Sequence, residues 1–205
     1  MEKFVKVSKK LSLMKKLIGP KKIRTAVFIS GKGSNLKNLI RYSKIKTYPF
    51  SINLIISNHN KAKGLKYSNI FNIEKKIIKY DKKIKTDNKL LKILKKKNIK
   101  LICLAGFMKI LSKNFIKTFD GKIINIHPSL LPKYKGLNTH YRAIKNREKF
   151  AGCTVHYVNS KLDSGKIILQ RKLKISKKDN HISLAKKVLK LEHLVYPAAI
   201  KIILN

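Results

Sequence analysis

The chain has 205 residues, of which 43% are hydrophobic, and this length and composition predict one medium-sized globular domain with a packed core. They exclude a wholly disordered chain, and no apolar run approaches the roughly 20 residues that a membrane-spanning helix needs. The two cysteines, Cys103 and Cys153, exclude a disulfide scaffold and predict a reducing, cytoplasmic location.

The net charge of +41 comes from 50 basic and 9 acidic residues. A charge of this size is common in proteins that bind nucleic acids, and it also attracts small anions. The basic residues are almost all lysines, however, and they are spread along the whole chain among many Ile and Asn residues. We therefore interpret the charge as a bias in composition at tolerant surface positions, with selected nucleic-acid binding as the alternative.

The first 22 residues form a basic, mildly amphipathic segment that ends near Gly19-Pro20. The acidic Glu2 and the short apolar patches of this segment are not typical of a secretory signal. We predict a flexible leader over residues 1–22 and a single domain over residues 23–205.

Strands and helices alternate from Arg24 onward. The predicted strands span residues 25–30, 50–57, 72–79, 100–105 and 122–126, and the predicted helices span residues 34–43, 60–69, 86–97 and 112–119. Near-continuous apolar strands separated by helices are typical of a parallel sheet covered on both faces. Residues 152–158 and 166–175 then predict an antiparallel strand pair, and residues 180–203 predict a closing helix that Pro197 kinks or breaks. The sequence thus predicts an α/β fold of three layers with a mostly parallel central sheet.

A glycine-containing loop over residues 30–36 separates the first predicted strand from the first predicted helix. Its glycines allow close approach of a ligand to the backbone, and the free N–H groups of the helix start favour a phosphate. The loop matches neither the dinucleotide fingerprint nor the P-loop pattern. It predicts an anion site, with a plain turn capped by Ser34 or Asn35 as the alternative.

Asn125 and His127 lie two positions apart at the end of a buried strand, so their side chains are expected on the same side of the sheet. Ligands of open α/β sheets bind at the carboxyl ends of strands. An amide donor beside an imidazole can stabilise negative charge on a carbonyl oxygen and move a proton. The alternative is a strand-end pair whose polar atoms are satisfied by loop backbone.

Three further groups have weaker patterns. Asp163 precedes Ser-Gly and is most often a turn former, but if it faced His127 its charge would raise the pKa of the imidazole. Glu192 lies in the last helix, where a solvated carboxylate is the default interpretation. His140 and His156 do not have the spacing of zinc ligands, so no metal site is expected.

Taken together, five blocks of sequence resemble the folate-dependent glycinamide ribonucleotide formyltransferases of purine synthesis. The blocks are Ile29–Leu36, Leu104–Leu111, Asn125–Tyr134, Gly136–His140 and Leu162–Gly165. The resemblance covers about residues 24–205 and implies a Rossmann-like formyltransferase fold. It also implies that a formyl group passes from 10-formyltetrahydrofolate to the amine of glycinamide ribonucleotide without a covalent enzyme intermediate.

The resemblance implies a role for individual residues as well. Asn125 and His127 would stabilise the oxyanion, and Asp163 would support His127 and proton transfer through water. The nucleotide is expected at Gly33, Ser34, Asn35 and Glu192. The folate co-substrate is expected at Lys83, Met108, Lys109, Ile110, Leu111, Asn125 and Asn159. Lys83 stands where the family has an arginine, and lysine lacks the two-pronged geometry of a guanidinium.

Two alternatives remain at this point. A methionyl-tRNA formyltransferase shares the pattern of residues 125–132 and would account for the charge, but it needs a C-terminal domain for which no residues remain. A lysine-rich nucleic-acid-binding protein that has lost activity is the other. We expect small-molecule substrates, no membrane contact, no nucleic acid and no metal, in a monomer or homodimer.

Overall fold

The computed structural model describes residues 22–80 and 83–205. All of the predicted leader except Lys22 lies outside these residues, so the division into leader and domain stays a prediction. No helix among the described residues is long and apolar enough to cross a membrane.

The described residues form seven strands and six α-helices. The strands are β1 (Ile23–Ile29), β2 (Phe50–Ser57), β3 (Lys75–Ile77), β4 (Leu101–Leu104), β5 (Lys122–His127), β6 (Phe150–Tyr157) and β7 (Ile167–Lys174). The helices are α1 (Ser34–Ser43), α2 (Lys66–Phe71), α3 (Lys83–Lys96), α4 (Lys113–Thr118), α5 (Thr139–Lys145) and α6 (His181–Leu204).

The strands form one sheet in the order β3-β2-β1-β4-β5-β6-β7. The first five are parallel, and β6 runs antiparallel to both β5 and β7. This confirms the predicted mostly parallel sheet with an antiparallel C-terminal pair. The chain moves from β1 outward to β3 and returns on the other side with β4, so a crevice opens between the carboxyl ends of β1 and β4.

Alternate residues of β1 face two separate apolar layers. Val27 and Ile29 belong to a buried cluster that includes side chains of α1, α5 and α6, whereas Ala26 and Phe28 belong to a cluster with α3 and α4. Because successive side chains of a strand point to opposite faces, the apolar run of β1 serves both layers. The three-layer prediction is therefore confirmed.

Five local features differ from the predictions. The helix expected from residue 60 begins at Lys66, after a short 3₁₀ turn, and α3 begins at Lys83 rather than residue 86. The seven-residue α5 was not predicted, because its sequence has too few apolar positions to show a helical period. The cap of α1 is Gly33 in the left-handed region, at φ 72°, rather than Ser34 or Asn35. A single helix, α6, continues through Pro197.

Tyr196 anchors α6 to the sheet. Its fully buried hydroxyl donates to the carbonyl of Leu104 at 2.9 Å, at the carboxyl end of β4. Glu192 lies one helical turn before Tyr196 and is thereby held over the crevice.

Candidate active site

A cavity of about 790 Å³ opens at the carboxyl ends of β1, β4 and β5. The loops after β1, β4 and β6 line it, together with part of α6. The structure brings the following predicted site residues to this cavity: Gly33, Ser34, Asn35, Met108, Lys109, Ile110, Leu111, Asn125, His127, Asn159, Asp163 and Glu192. Lys83 begins α3, but its side chain lies outside the described part of the chain.

Asn125, His127 and Asp163 meet in one wall of the cavity. The Nδ1 of His127 lies 3.3 Å from Oδ2 of Asp163, and both side chains are more than nine-tenths buried. The Nδ2 of Asn125 donates to the other carboxylate oxygen of Asp163 at 3.4 Å. Asn125 and His127 therefore face the same side of the sheet, and Asp163 faces both of them.

His156 completes this set, which we call the Asp163 group (Asn125, His127, His156 and Asp163). His156 pairs with Asn125 across the β5–β6 ladder, and its Nε2 lies 3.6 Å from Oδ1 of Asp163 and 3.3 Å from Nδ2 of Asn125. Its Nδ1 lies 2.8 Å from the Tyr157 carbonyl oxygen, which only accepts hydrogen bonds. Nδ1 therefore donates to this carbonyl, and Nε2 faces Asn125 and Asp163. Sequence reasoning considered His156 only as a metal ligand.

The pKa of Asp163 lies below its usual value. Burial alone would raise this pKa, but His156, the backbone N–H of Gly136 at 2.9 Å and the nearby His127 outweigh burial. Asp163 is therefore a carboxylate at neutral pH and can accept a proton.

The pKa of His127 also lies below its usual value. Burial lowers this pKa by more than the Tyr134 carbonyl and the Asp163 carboxylate raise it. Asp163 does raise the pKa of His127, as expected, but the net shift of this pKa is downward, so the expectation of a raised pKa is wrong. At neutral pH the imidazole of the free protein is thus mainly neutral.

The loop that carries Asp163 turns in a way that only certain residues permit. Asp163 has a positive φ of 44°, which is uncommon outside glycine. At Gly165 an added Cβ would lie 1.7 Å from the carbonyl oxygen of Tyr157, so no side chain fits there. Gly165 therefore allows the loop to fold back against β6 and present Asp163 to the cavity.

A second set of residues, the Glu192 group, consists of Gly33, Ser34, Asn35 and Glu192. Asn35 Nδ2 donates to Oε2 of Glu192 at 2.6 Å, and Glu192 is only 8% exposed. Burial raises the pKa of Glu192 to about 7, against a lowering by the bond from Asn35. The default interpretation of a solvated carboxylate is therefore wrong, because α6 packs this side chain against the start of α1.

The third wall follows β4. Met108 and Ile110 are exposed here, whereas Leu111 is buried. The backbone N–H of Met108 donates to Ser30 Oγ at 2.8 Å, and the N–H of Ser30 donates to the Gly106 carbonyl at 3.1 Å. These bonds hold an apolar surface beside the glycine loop, which suits a flat aromatic group.

Among the described residues, no group of three or more His, Cys, Asp or Glu side chains could hold a metal ion.

Comparisons with known proteins identify a family whose chemistry fits this geometry. A family model described as formyl transferase matches residues 23–200. The phosphoribosylglycinamide formyltransferase of Haemophilus influenzae is 40% identical over 181 residues, which cover 87% of this chain and 85% of that relative. The human trifunctional purine biosynthetic protein adenosine-3 is 38% identical over 186 residues, 89% of this chain but only 18% of that protein. The chain thus spans less than a fifth of such trifunctional relatives.

Solved structures show the same likeness. A crystal structure of phosphoribosylglycinamide formyltransferase from Brucella melitensis has a TM-score of 0.85 and 38% sequence identity, and the match covers 90% of this chain and 96% of that one. The corresponding enzyme from Anaplasma phagocytophilum has a TM-score of 0.83 and 40% identity, over 90% of this chain and 87% of that one.

Proposed function

The chain belongs to the formyl transferase family, and we propose that it transfers the formyl group of 10-formyltetrahydrofolate to the amine of 5-phosphoribosylglycinamide in purine synthesis. One observation carries this proposal: the Asp163 group and the Glu192 group line the same cavity. The first supplies donors and a base for acyl transfer, and the second supplies a helix start and a carboxylate for a phosphorylated sugar. The names and identities of the bacterial relatives support the same substrates.

The proposed reaction begins with attack of the substrate amine on the formyl carbon. A carbon–nitrogen bond to the amine forms, the carbonyl oxygen gains negative charge, and the attacking nitrogen gains positive charge. The amide of Asn125 and the Nδ1 side of His127 stabilise the oxygen. Asp163, directly or through water, takes the proton from the attacking nitrogen, and Nδ1 of His127 holds this proton while the oxygen is charged. The same proton then passes through water to N10 of the folate as the bond between N10 and the formyl carbon breaks.

The low pKa of His127 in the free protein fits this sequence of events. In the neutral imidazole an unprotonated Nδ1 beside Asp163 can accept a proton. As the oxyanion forms, its charge favours the protonated ring and raises the pKa of His127 during the reaction. The imidazole then becomes a donor when the charge appears.

The Glu192 group would bind the nucleotide. The backbone N–H groups of Ser34 and Asn35 lie in the first turn of α1 and suit a phosphate, which the positive end of the helix dipole also attracts. Glu192 would accept hydrogen bonds from ribose hydroxyls. Its pKa of about 7 allows it to be charged once those donors replace water.

The folate would lie against the third wall. Met108, Ile110 and Leu111 offer apolar contact to the pterin, and Lys109, Asn159 and the strand-end Asn125 offer polar groups. Lys83 is our candidate for the anionic tail of the folate, as a point charge. We expect the reaction to take place in the cytoplasm, and the choice between monomer and homodimer stays a prediction.

The test is an acceptor assay. Purified protein is mixed with 10-formyltetrahydrofolate and, in separate reactions, with 5-phosphoribosylglycinamide, methionyl-tRNA or buffer alone, and the deformylated folate is followed by absorbance. We expect rapid turnover with 5-phosphoribosylglycinamide only. Turnover with methionyl-tRNA alone, or at equal speed with water as the acceptor, would overturn the proposal.

A further inference from the structure

The imidazole of His127 is held from the side opposite Asp163 by a backbone carbonyl. Its Nε2 lies 2.8 Å from the carbonyl oxygen of Tyr134. The Tyr134 carbonyl and the Asp163 carboxylate both only accept hydrogen bonds, but the carbonyl lies at hydrogen-bond distance from Nε2 whereas the carboxylate lies 3.3 Å from Nδ1, so the proton of the neutral ring belongs on Nε2. Nδ1 is then the nitrogen that faces Asp163 with a free lone pair.

The backbone of Tyr134 reaches His127 in a conformation that is uncommon for its residue type. Tyr134 has a φ of 57°, in the left-handed region. Conformations of this kind persist only where surrounding contacts hold them. The position of the carbonyl therefore depends on what holds Tyr134.

Three side chains hold the phenol ring of Tyr134, and we call them and Tyr134 the tyrosine clamp. The Tyr134 hydroxyl donates to Oε1 of Glu148 at 2.8 Å and accepts from Nδ2 of Asn146 at 3.0 Å. The guanidinium of Arg142 lies over the ring, 4.9 Å from its centroid. The same carboxylate also forms a surface ion pair with the exposed Lys133, whose Nζ lies 2.9 Å from Oε1.

We propose that Tyr134 is a positioning residue for formyl transfer: anchored through Glu148, Asn146 and Arg142, it keeps its carbonyl on Nε2 of His127 and so reserves Nδ1 for Asp163 and the reacting formyl oxygen. This inference rests on the proposed function for its catalytic consequence, but the tautomer that it fixes is a property of the free protein.

The clamp matters because the other tautomer could not take up a proton at the reacting site. With the proton on Nδ1, the Nε2 lone pair would face the Tyr134 carbonyl at 2.8 Å, a closer contact between two acceptors than the 3.3 Å between Nδ1 and Asp163. Nδ1 would also carry its proton before the reaction, so His127 could donate to the oxyanion but could not accept the proton that the attacking amine releases. The carbonyl therefore selects which nitrogen of His127 takes the reaction's proton.

The tautomer is measured directly by two-bond proton–nitrogen NMR correlation on protein labelled with ¹⁵N-histidine, at a pH where His127 is neutral. The His127 resonances are assigned by their loss in His127→Gln. We expect the Nε2–H tautomer alone in the natural protein and a mixture of tautomers in Tyr134→Phe. If Tyr134→Phe does not fold, Glu148→Ala removes the acceptor of the same phenol and replaces it in the test.

Kinetics and matched variants complete the test. We expect Tyr134→Phe and Glu148→Ala to lower kcat about tenfold, with KM values for both substrates changed less than about twofold. Glu148→Gln keeps an acceptor for the phenol and is expected to restore the natural tautomer. Lys133→Met removes the ion pair on the same carboxylate, leaves the phenol bond intact, and is expected to change neither tautomer nor kcat.

Two results would overturn the inference: an Nδ1–H tautomer of His127 in the natural protein, or an unchanged tautomer in both Tyr134→Phe and Glu148→Ala. An absence of formyl transfer in the natural protein would instead overturn the proposed function, and the NMR result would still decide the role of the clamp.

Discussion

Asp163 and Glu192 are carboxylates in the walls of one cavity, and their pKa values move in opposite directions. The side chain of Asp163 is 8% exposed and Glu192 is also 8% exposed, yet the pKa of Asp163 is lowered and that of Glu192 is raised to about 7. Protein atoms surround Glu192 more densely than Asp163, and Glu192 has fewer donors, so burial and partners both contribute to the difference.

The number and kind of donors separate the two carboxylates. Asp163 receives the backbone N–H of Gly136 and the amide of Asn125, and it faces two imidazoles. Glu192 receives one amide N–H, from Asn35. Asp163 is therefore already a carboxylate in the free protein. Glu192 loses its proton most readily when a ligand supplies further hydrogen-bond donors.

The largest expected effect comes from removing the charge of Asp163. Asp163→Asn keeps the shape of the side chain but cannot accept the proton of the attacking amine, so we expect kcat to fall about a thousandfold. Steady-state kinetics over pH checks this. Asp120→Asn, which changes an exposed carboxylate paired with Lys100, is the matched control and should keep full activity. Near-normal turnover in Asp163→Asn would contradict the assignment.

The next effect comes from the oxyanion donors. His127→Ala or Asn125→Ala removes one donor from the reacting oxygen, at a cost of about 2.7–4 kcal/mol in the barrier. We expect kcat to fall about a hundredfold or more, with smaller changes in KM. A variant that retained turnover close to that of the natural protein would remove its residue from the proposed mechanism.

A smaller effect is expected from the turn that presents Asp163. Gly165→Ala places a Cβ against the Tyr157 carbonyl, so the loop must shift and Asp163 with it. We expect kcat to fall roughly tenfold or more and the protein to lose about 1–3 kcal/mol of stability. Unfolding temperatures are compared with Gly31→Ala, whose added Cβ meets nothing within 4 Å. Equal unfolding temperatures for the two variants would refute the steric argument.

The smallest effect concerns stability near Glu192. Its folded pKa of about 7 lies above the usual glutamate value of 4.5, so between these values the folded protein holds a proton that the unfolded chain releases. Stability is therefore lost as pH rises through this window. In Glu192→Gln no charge is buried, and we expect a gain over the natural protein on the order of 2 kcal/mol at pH 8, with little gain at pH 4.5.

Thermal unfolding of both proteins across this pH range measures the difference, and the other titrating groups cancel in the comparison. The Asn35 Oδ1 is buried without a hydrogen-bond partner among the described residues, and the glutamine amide can donate to it. A gain that is equal at both pH values would show that the amide contact, not the buried charge, is responsible.

The fold was largely predictable because its central strands are long apolar runs. The bounds predicted for β2 are those observed, since nearly all of its residues contribute to the buried sheet. The edge strand β3 is shorter than predicted: its three residues are all exposed and pair with one neighbour only. The β-propensity of its residues indicates an extended segment, but pairing with β2 in the folded chain decides where the strand begins and ends.

The site was predictable where one strand carries it and not where several segments meet. The spacing of two between Asn125 and His127 places both side chains on one face. His156 joins them through the register of β5 against β6, which no local pattern in the sequence reveals. The carbonyl of Tyr134 has no side-chain signature, and the net pKa of His127 depends on burial that appears only in the folded chain.

The close contact between Gly33 and Gly64 restricts how this protein can be redesigned. A Cβ added at Gly33 would lie 2.7 Å from the Cα of Gly64, and one added at Gly64 would lie 2.9 Å from the Cα of Gly33. Neither position can therefore be varied alone or together with the other in a mutant library. A library aimed at new acceptors has to keep both glycines and vary other residues of the cavity wall, because the two loops leave no space for a side chain between them.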